Sequence, residues 1–225
     1  AQETVDIHSR YGLSPTAYLH SCGLFERPVT AAHCVHLTSA DIDILAAADA
    51  GVAHNPGSNL KLGSGIADLP ALLRSGMRIG LGTDGAASNN KLDMFEEMRL
   101  AALLHKGVAQ DATLIPAQAA LMLATEGGAR ALFLETGLGT LLPDAPADLV
   151  LLDIAGPRYA PEHNLLSHVV YASGAQDVTD VFVAGKHIYA GREFLTLDRE
   201  RIVHDANRAG LRLTAAAQAR AGSTQ

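Results

Sequence analysis

Arg78-Ile79-Gly80-Leu81-Gly82-Thr83-Asp84-Gly85-Ala86-Ala87-Ser88-Asn89-Asn90 is the stretch on which the fold turns. Its apolar start, residues 79–81, reads as a short buried strand that runs into an acid. Small residues follow, and then a new helix begins. A carboxylate at the C-terminal tip of a strand, in a loop too small to shield it, suits metal binding or proton transfer. Alone, Asp84 is also explained as a turn or helix-cap aspartate, so the weight falls on its company.

Two earlier strands also end in reactive side chains. Residues 29–34, Val-Thr-Ala-Ala-His-Cys, are β-compatible and bounded by Pro28, and residues 51–55, Gly-Val-Ala-His-Asn, are stopped by Pro56. Between them, residues 39–50 read as a helix capped by Thr38 or Ser39 and closed by Gly51. Residues 67–75, closed by Gly76, and residues 92–106 are expected to be further helices. Such alternation implies parallel strands, and in a β/α barrel the chemistry gathers at their C-terminal ends. His33, His54 and Asp84 each stand at or next to such an end, which predicts one shared site.

The 225 residues are enough for one large domain, or one domain with a small appendage. With 48% hydrophobic and 18% charged residues and no Trp, the composition fits an α/β enzyme better than a disordered or secreted module. A net charge of −7 without a Lys/Arg cluster argues against nucleic acid or anionic membranes as partners. Cys22 and Cys34 form neither a disulfide framework nor a Cys-x-x-Cys pattern, so reduced thiols in the cytoplasm are expected. No apolar run is long enough to span a bilayer. The chain opens on Ala1-Gln2-Glu3-Thr4, and three barrel-type strands are clear where eight are needed, so a preceding part is expected to be missing.

Three motifs together carry a resemblance: Ala32-His33-Cys34-Val35-His36-Leu37, His54-Asn55-Pro56-Gly57-Ser58-Asn59-Leu60-Lys61-Leu62, and Gly82 to Asn90. They resemble the amidohydrolase superfamily, in its 5-methylthioadenosine/S-adenosylhomocysteine deaminase branch. Gly139-Thr140-Leu141, Ala147-Asp148-Leu149-Val150-Leu151-Leu152-Asp153 and Val183-Ala184-Gly185-Lys186 extend the likeness over nearly all of the chain. The resemblance implies the C-terminal half of a TIM-type (β/α)8 barrel, with part of a small β-sandwich. It also implies a metal held by a His-x-His pair on the first strand, a His on the fifth and an Asp on the eighth. Asp84 matches the last of these, and the His-x-His pair is absent. Glu3-Thr4 match the end of the fifth-strand His-x-x-Glu-Thr motif, whose His would stand immediately before Ala1. His33 matches the sixth-strand His, and His54 lies in the seventh-strand motif.

The chemistry so implied is hydrolytic deamination of an adenosine-type nucleoside, with Zn2+ as cofactor, or Fe2+ or another divalent metal in its place. Asp84 is then metal ligand and proton acceptor, Glu3 the proton shuttle to the purine ring nitrogen and the departing ammonia, and His33 the hydrogen-bond partner that steadies the attacking oxygen. Glu3, His54 and Asp84 are the candidates for substrate contact. Each has a plainer reading: a core histidine for His33, a helix-side hydrogen bond for His54, a solvated chain-end acid for Glu3. His8, His105 and His204 read as surface residues, Asp148 as a turn or cap, and Asn59 and Lys61 as fixing a loop or touching substrate.

Beyond the barrel part, residues 116–133 are expected to form one helix, 139–154 a β-hairpin with Pro143 and Pro146 in its turn, 178–184 and 187–190 a strand pair, and 198–221 a terminal helix. The expected domain division is 1–137, 138–195 and 196–225. Asn89-Asn90 and Asn59-Leu60-Lys61-Leu62 favour the adenosine branch over relatives acting on guanine, a pterin or an s-triazine. A fragment that is not an enzyme by itself is the alternative of a different class, and a homo-oligomer is left open.

Overall fold

The computed structural model describes residues 2–134 and 137–222. The chain divides into two compact units, Ala1–Pro146 with Asp153–Asp177, and Ala147–Leu152 with Val178–Gln225.

The first unit is built on three parallel strands, β1 (Thr30–Ala32), β2 (Gly51–His54) and β3 (Arg78–Leu81), in that order across the sheet. Thr30 pairs with Gly51 and Gly51 with Arg78, so the three strands run in step and end together. Two helices, α1 (Gln2–Tyr11) and α2 (Pro15–Ser21), precede β1. The crossovers are α3 (Ser39–Ala47), and the pair α4 (Pro56–Lys61) and α5 (Leu69–Arg74). A short α6 (Ala86–Asn89) and the long α7 (Met94–Ala109) follow β3, then α8 (Ala117–Ala124), α9 (Glu126–Ala131) and, later, α10 (Leu165–Tyr171).

Local chemistry accounts for these boundaries. Thr38 and Asp41 close a reciprocal capping box at the start of α3. Asp68 caps α5 through the Ala71 amide, with Pro70 in the first turn, where no hydrogen bond is lost. Asp93 caps α7 through Phe95 N–H. Val52, Ile79 and Leu81 of the sheet are buried against Leu45, Leu72, Met98, Ala101, Ala102 and Leu123 of the helices, which places the core between sheet and outer helices.

Two expectations need correction here. Residues 116–133 are not one helix: Thr125, at φ −118° and ψ −103°, separates α8 from α9. The break lets the Gly127-Gly128 backbone lie directly on β3, where a Cβ on Gly80 would come within 2.5 Å of Gly128 Cα. Residues 139–154 do not form a hairpin. Only β4 (Leu149–Leu152) is a strand, and its partner is β5 (Val178–Val183), antiparallel. Pro143 and Pro146 offer no N–H to a ladder and Asp144 sits at φ 65°, so the upstream arm stays irregular.

The second unit is a four-stranded antiparallel sheet, β4-β5-β6-β7, with β6 (Lys186–Ala190) and β7 (Glu193–Phe194). The β5–β6 pair lies within one residue of the expected boundaries, and its turn places Ala184 at φ 48° and Gly185 at φ 75°. Asp148 accepts the Ala184 N–H and so fixes this turn. Helix α11 (Arg199–Gly222) completes the unit. No helix among the described residues is long and apolar enough to cross a membrane.

Candidate active site at the strand ends

Because β1, β2 and β3 are parallel and in step, their C-terminal tips lie at one end of the sheet. His33 extends the β1 ladder by one bond, its N–H donating to Ala53 O at 2.9 Å. There the backbone turns sharply, with φ 67° at His33 and 52° at Cys34. Asp84, three residues beyond β3, has φ 60°. Left-handed backbone is costly for residues with a Cβ, and it is found where surrounding structure holds a side chain in a required direction. Here it aims the two side chains at each other, with His33 Nε2 3.9 Å from Asp84 Oδ2.

Each partner is held by other groups. Nδ1 of His33 is 2.8 Å from Asn59 Oδ1, an oxygen that can only accept, so Nδ1 donates there and Nε2 is the nitrogen turned toward Asp84. Asp84 Oδ2 accepts from Ser58 Oγ at 2.7 Å and Ser88 Oγ at 2.6 Å. The Ser88 hydroxyl, then that of Ser58, then the Gly85 backbone hold the Asp84 carboxyl well down, to about 2. A carboxylate held that low is a good anionic ligand and a weak base. Proton transfer to it requires the serine bonds to loosen.

Glu3, exposed in the first turn of α1, lines the same cleft as His33, Asn59 and Asp84, together with Thr16, Val35 and Leu62. The cleft measures about 660 Å³, within the ordinary range of small-molecule sites. Glu3, His33 and Asp84 are therefore brought together, from α1 and from the ends of β1 and β3.

His54 is not brought to that surface. It is 1% exposed, both ring nitrogens lack a partner among the described residues, and its ring centroid lies 5.7 Å from that of His105. Burial first, then the charges of His105 and His33, pushes its pKa down to about 3, so it is a neutral imidazole behind the cleft. His105 is not the surface residue the sequence suggests, being 4% exposed. It sits on the face of α7 that carries Met98, Ala101 and Ala102 inward.

Ser58 and Ser88 are not singled out by the sequence reading, although both lie inside the quoted motifs. The available signal is spacing: Ser88 follows Asp84 by four residues, one turn of a helix, and Ser58 directly follows the Pro56-Gly57 opening of α4.

Among the described residues, no group of three or more His, Cys, Asp or Glu is arranged to hold a metal ion. Asp84 fits one ligand position, with His33 beside it, whereas a zinc centre takes about three or four protein ligands. These residues alone do not make a closed metal site.

Residues 2–188 match the Amidohydrolase family. The chain is 51% identical over 211 residues to the 5-methylthioadenosine/S-adenosylhomocysteine deaminase of Desulforudis audaxviator, covering 94% of this chain and 49% of that protein. Among solved structures it is similar to an adenosine deaminase from Xanthomonas campestris with bound zinc, at TM-score 0.91 and 42% identity over 96% of this chain and 49% of that one. It is also similar to an atrazine chlorohydrolase from Arthrobacter aurescens complexed with zinc, at TM-score 0.82 and 27% identity, covering 91% and 46%. The chain spans about half the length of the relatives it matches.

Proposed function

This chain belongs to the amidohydrolase family, and on that premise we propose that it is the C-terminal half of a zinc-dependent hydrolytic deaminase of adenosine-type nucleosides. S-Adenosylhomocysteine, 5-methylthioadenosine and adenosine are the candidate substrates. In this reading residues 1–137 contribute to a (β/α)8 barrel and 138–195 to a small β-sandwich, apart from 153–177, which belong to the first unit, and α11 is the terminal helix. The observation that carries the proposal is the meeting of Glu3, His33 and Asp84 on one cleft at the strand ends. The names of the relatives support the reaction, and the zinc in the solved ones supports the metal.

Zinc, held by Asp84 and by ligands from the rest of the protein, would supply the Lewis acidity that makes water nucleophilic at neutral pH. The chain's own residues divide the remaining work. Nε2 of His33, held in place by Asn59, accepts a hydrogen bond from the attacking water and so orients it. Once protonated, the same nitrogen donates to the oxygen and steadies its developing charge. Glu3 hands its proton to the ring nitrogen, takes the second proton of the attacking water from the new C–OH group and passes it to the departing amine, after which the proton held on His33 returns to Glu3. Asp84 remains anionic through its serine donors, which keeps negative charge where a cation binds.

A test follows ammonia release by the full-length protein from adenosine, S-adenosylhomocysteine, 5-methylthioadenosine, guanine and hydroxytriazine. Turnover confined to the first three is expected. The likeness to the atrazine chlorohydrolase gives the second reading, a relative acting on another ring, and turnover of guanine or hydroxytriazine alone would select it. No turnover of any ring would leave a non-catalytic protein. The reading places the protein in the cytoplasm, as a monomer or a homo-oligomer, and neither point bears on the assay.

A further inference from the structure

Glu97, on α7, is 1% exposed and makes no ion pair among the described residues. Its two oxygens are held by neutral donors from different helices. Oε2 accepts the Gly57 N–H at 2.8 Å, in the first turn of α4, and Oε1 accepts from Asn89 Nδ2 at 2.7 Å, at the end of α6. Burial pushes its pKa up, and these two bonds pull it back. The fit leaves no room: a Cβ on Gly57 would lie 2.3 Å from Glu97 Oε1.

The residues beside those two contacts are the ones that hold the cleft pair. Ser58 and Asn59 follow Gly57, and Ser88 precedes Asn89. Ser58 and Ser88 donate to Asp84, and Asn59 holds His33. Helices of six and four residues are far below the length that is stable by propensity, so their placement depends on tertiary anchors. We propose that Glu97 is a positioning residue, a buried carboxylate that ties α4 to α6 so that Ser58, Ser88 and Asn59 hold Asp84 and His33 in the geometry of the cleft. Its consequence for turnover rests on the deaminase reading; its consequence for the two helices does not.

Glu97→Gln tests this with little change of shape. Glutamine has one acceptor oxygen and an NH2 group, so whichever way it turns, one of the two donors loses its acceptor. Adding Asn89→Asp restores both bonds at unchanged total charge. The substituted amide can then accept from Gly57 and donate to the new carboxylate, which can still accept the Leu92 N–H as Asn89 does. Gly57→Ala disturbs the same contact from the other side.

In the full-length protein, amide hydrogen exchange at residues 57–59 and 86–90 should quicken in Glu97→Gln and Gly57→Ala, while Met98 to Ala102 of α7 keep their protection. If the protein turns over an aminopurine, kcat should fall by roughly 10- to 100-fold with KM changed by less than about threefold, the signature of misplaced reacting groups. The double variant should recover both. Unchanged exchange, quickened exchange with wild-type kcat, or a double variant no better than the single one would each overturn the proposal. Should the wild type turn over no ring at all, the deaminase reading fails, and exchange with its recovery in the double variant still decides for or against the tie.

Discussion

His33 Nε2 and Asp84 Oδ2 stand 3.9 Å apart although β1 and β3, which carry them, are not neighbours in the sheet. β2 lies between, and its terminal His54 is buried beneath the pair. The two outer strands reach over it only because both residues adopt positive φ, 67° and 60°. Strain of this kind costs on the order of 1–3 kcal/mol per residue and persists where neighbouring contacts enforce it. The bonds from Asn59, Ser58 and Ser88 are those contacts.

Asp84→Asn in the full-length protein should nearly abolish turnover and lower bound metal. The amide keeps the size of the side chain but removes the charge that Ser58 and Ser88 stabilise. Steady-state kinetics with metal analysis on the same sample checks both, and wild-type turnover in the variant would refute the assigned role.

Glu3→Gln should cost about 10²-fold or more in kcat, since it removes a proton carrier. Metal content should stay at the wild-type level, because Glu3 lies on α1 and is assigned no ligand role. A matching loss of metal would move Glu3 from proton transfer to ligation.

Zinc should bind the 225-residue chain weakly and without turnover. The described residues hold no cluster of three ligands, and a closed zinc site needs about three or four. Isothermal titration with zinc, paired with an ammonia-release assay on S-adenosylhomocysteine, reads the outcome. Tight stoichiometric binding with activity would place the site elsewhere.

Stability should fall as pH drops below neutrality, and His54 is a principal cause. Its pKa is about 3 in the fold, where burial disfavours the charged ring, and about 6.5 in an unfolded chain. Between those values the unfolded state binds a proton that the native state refuses. The contribution is therefore complete above about pH 6.5 and is lost at up to about 1.4 kcal/mol per pH unit below it. His105, lowered by the same burial, acts in the same direction. Urea unfolding of the full-length protein at pH 7.5, 6 and 5 should show this slope, and His54→Phe should flatten it. Equal slopes in the two proteins would remove His54 from the account.

Gly80→Ala should destabilise by about 1–3 kcal/mol, the usual cost of overpacking. The new Cβ would meet the Gly128 backbone at 2.5 Å, where nothing flexible can give way. Thermal melting should register the loss, and an unchanged Tm would mean that α9 can retreat from β3.

How much of this was legible in the chain depends on how local the cause is. Three strands with His33, His54 and Asp84 at or just beyond their ends were readable because apolar runs, prolines and glycines act within a few residues. The helix start at Thr38 is local in the same sense, since its cap bonds reach three residues, whereas α7 begins at Met94 behind an Asp93 cap and not at the expected residue 92. Partnership between distant segments was not readable. The break at Thr125 exists because Gly127 and Gly128 must meet Gly80, and the lost hairpin because β4 finds a better partner in β5 than in a proline-bearing arm. Nor did spacing reveal that His54 and His105, far apart in sequence, would be buried side by side. The sequence by itself determined which residues stand at the strand tips, because period and punctuation are properties of the chain. Only the tertiary structure decided which of them face the cleft, because burial and hydrogen-bond partners exist only once distant segments have packed.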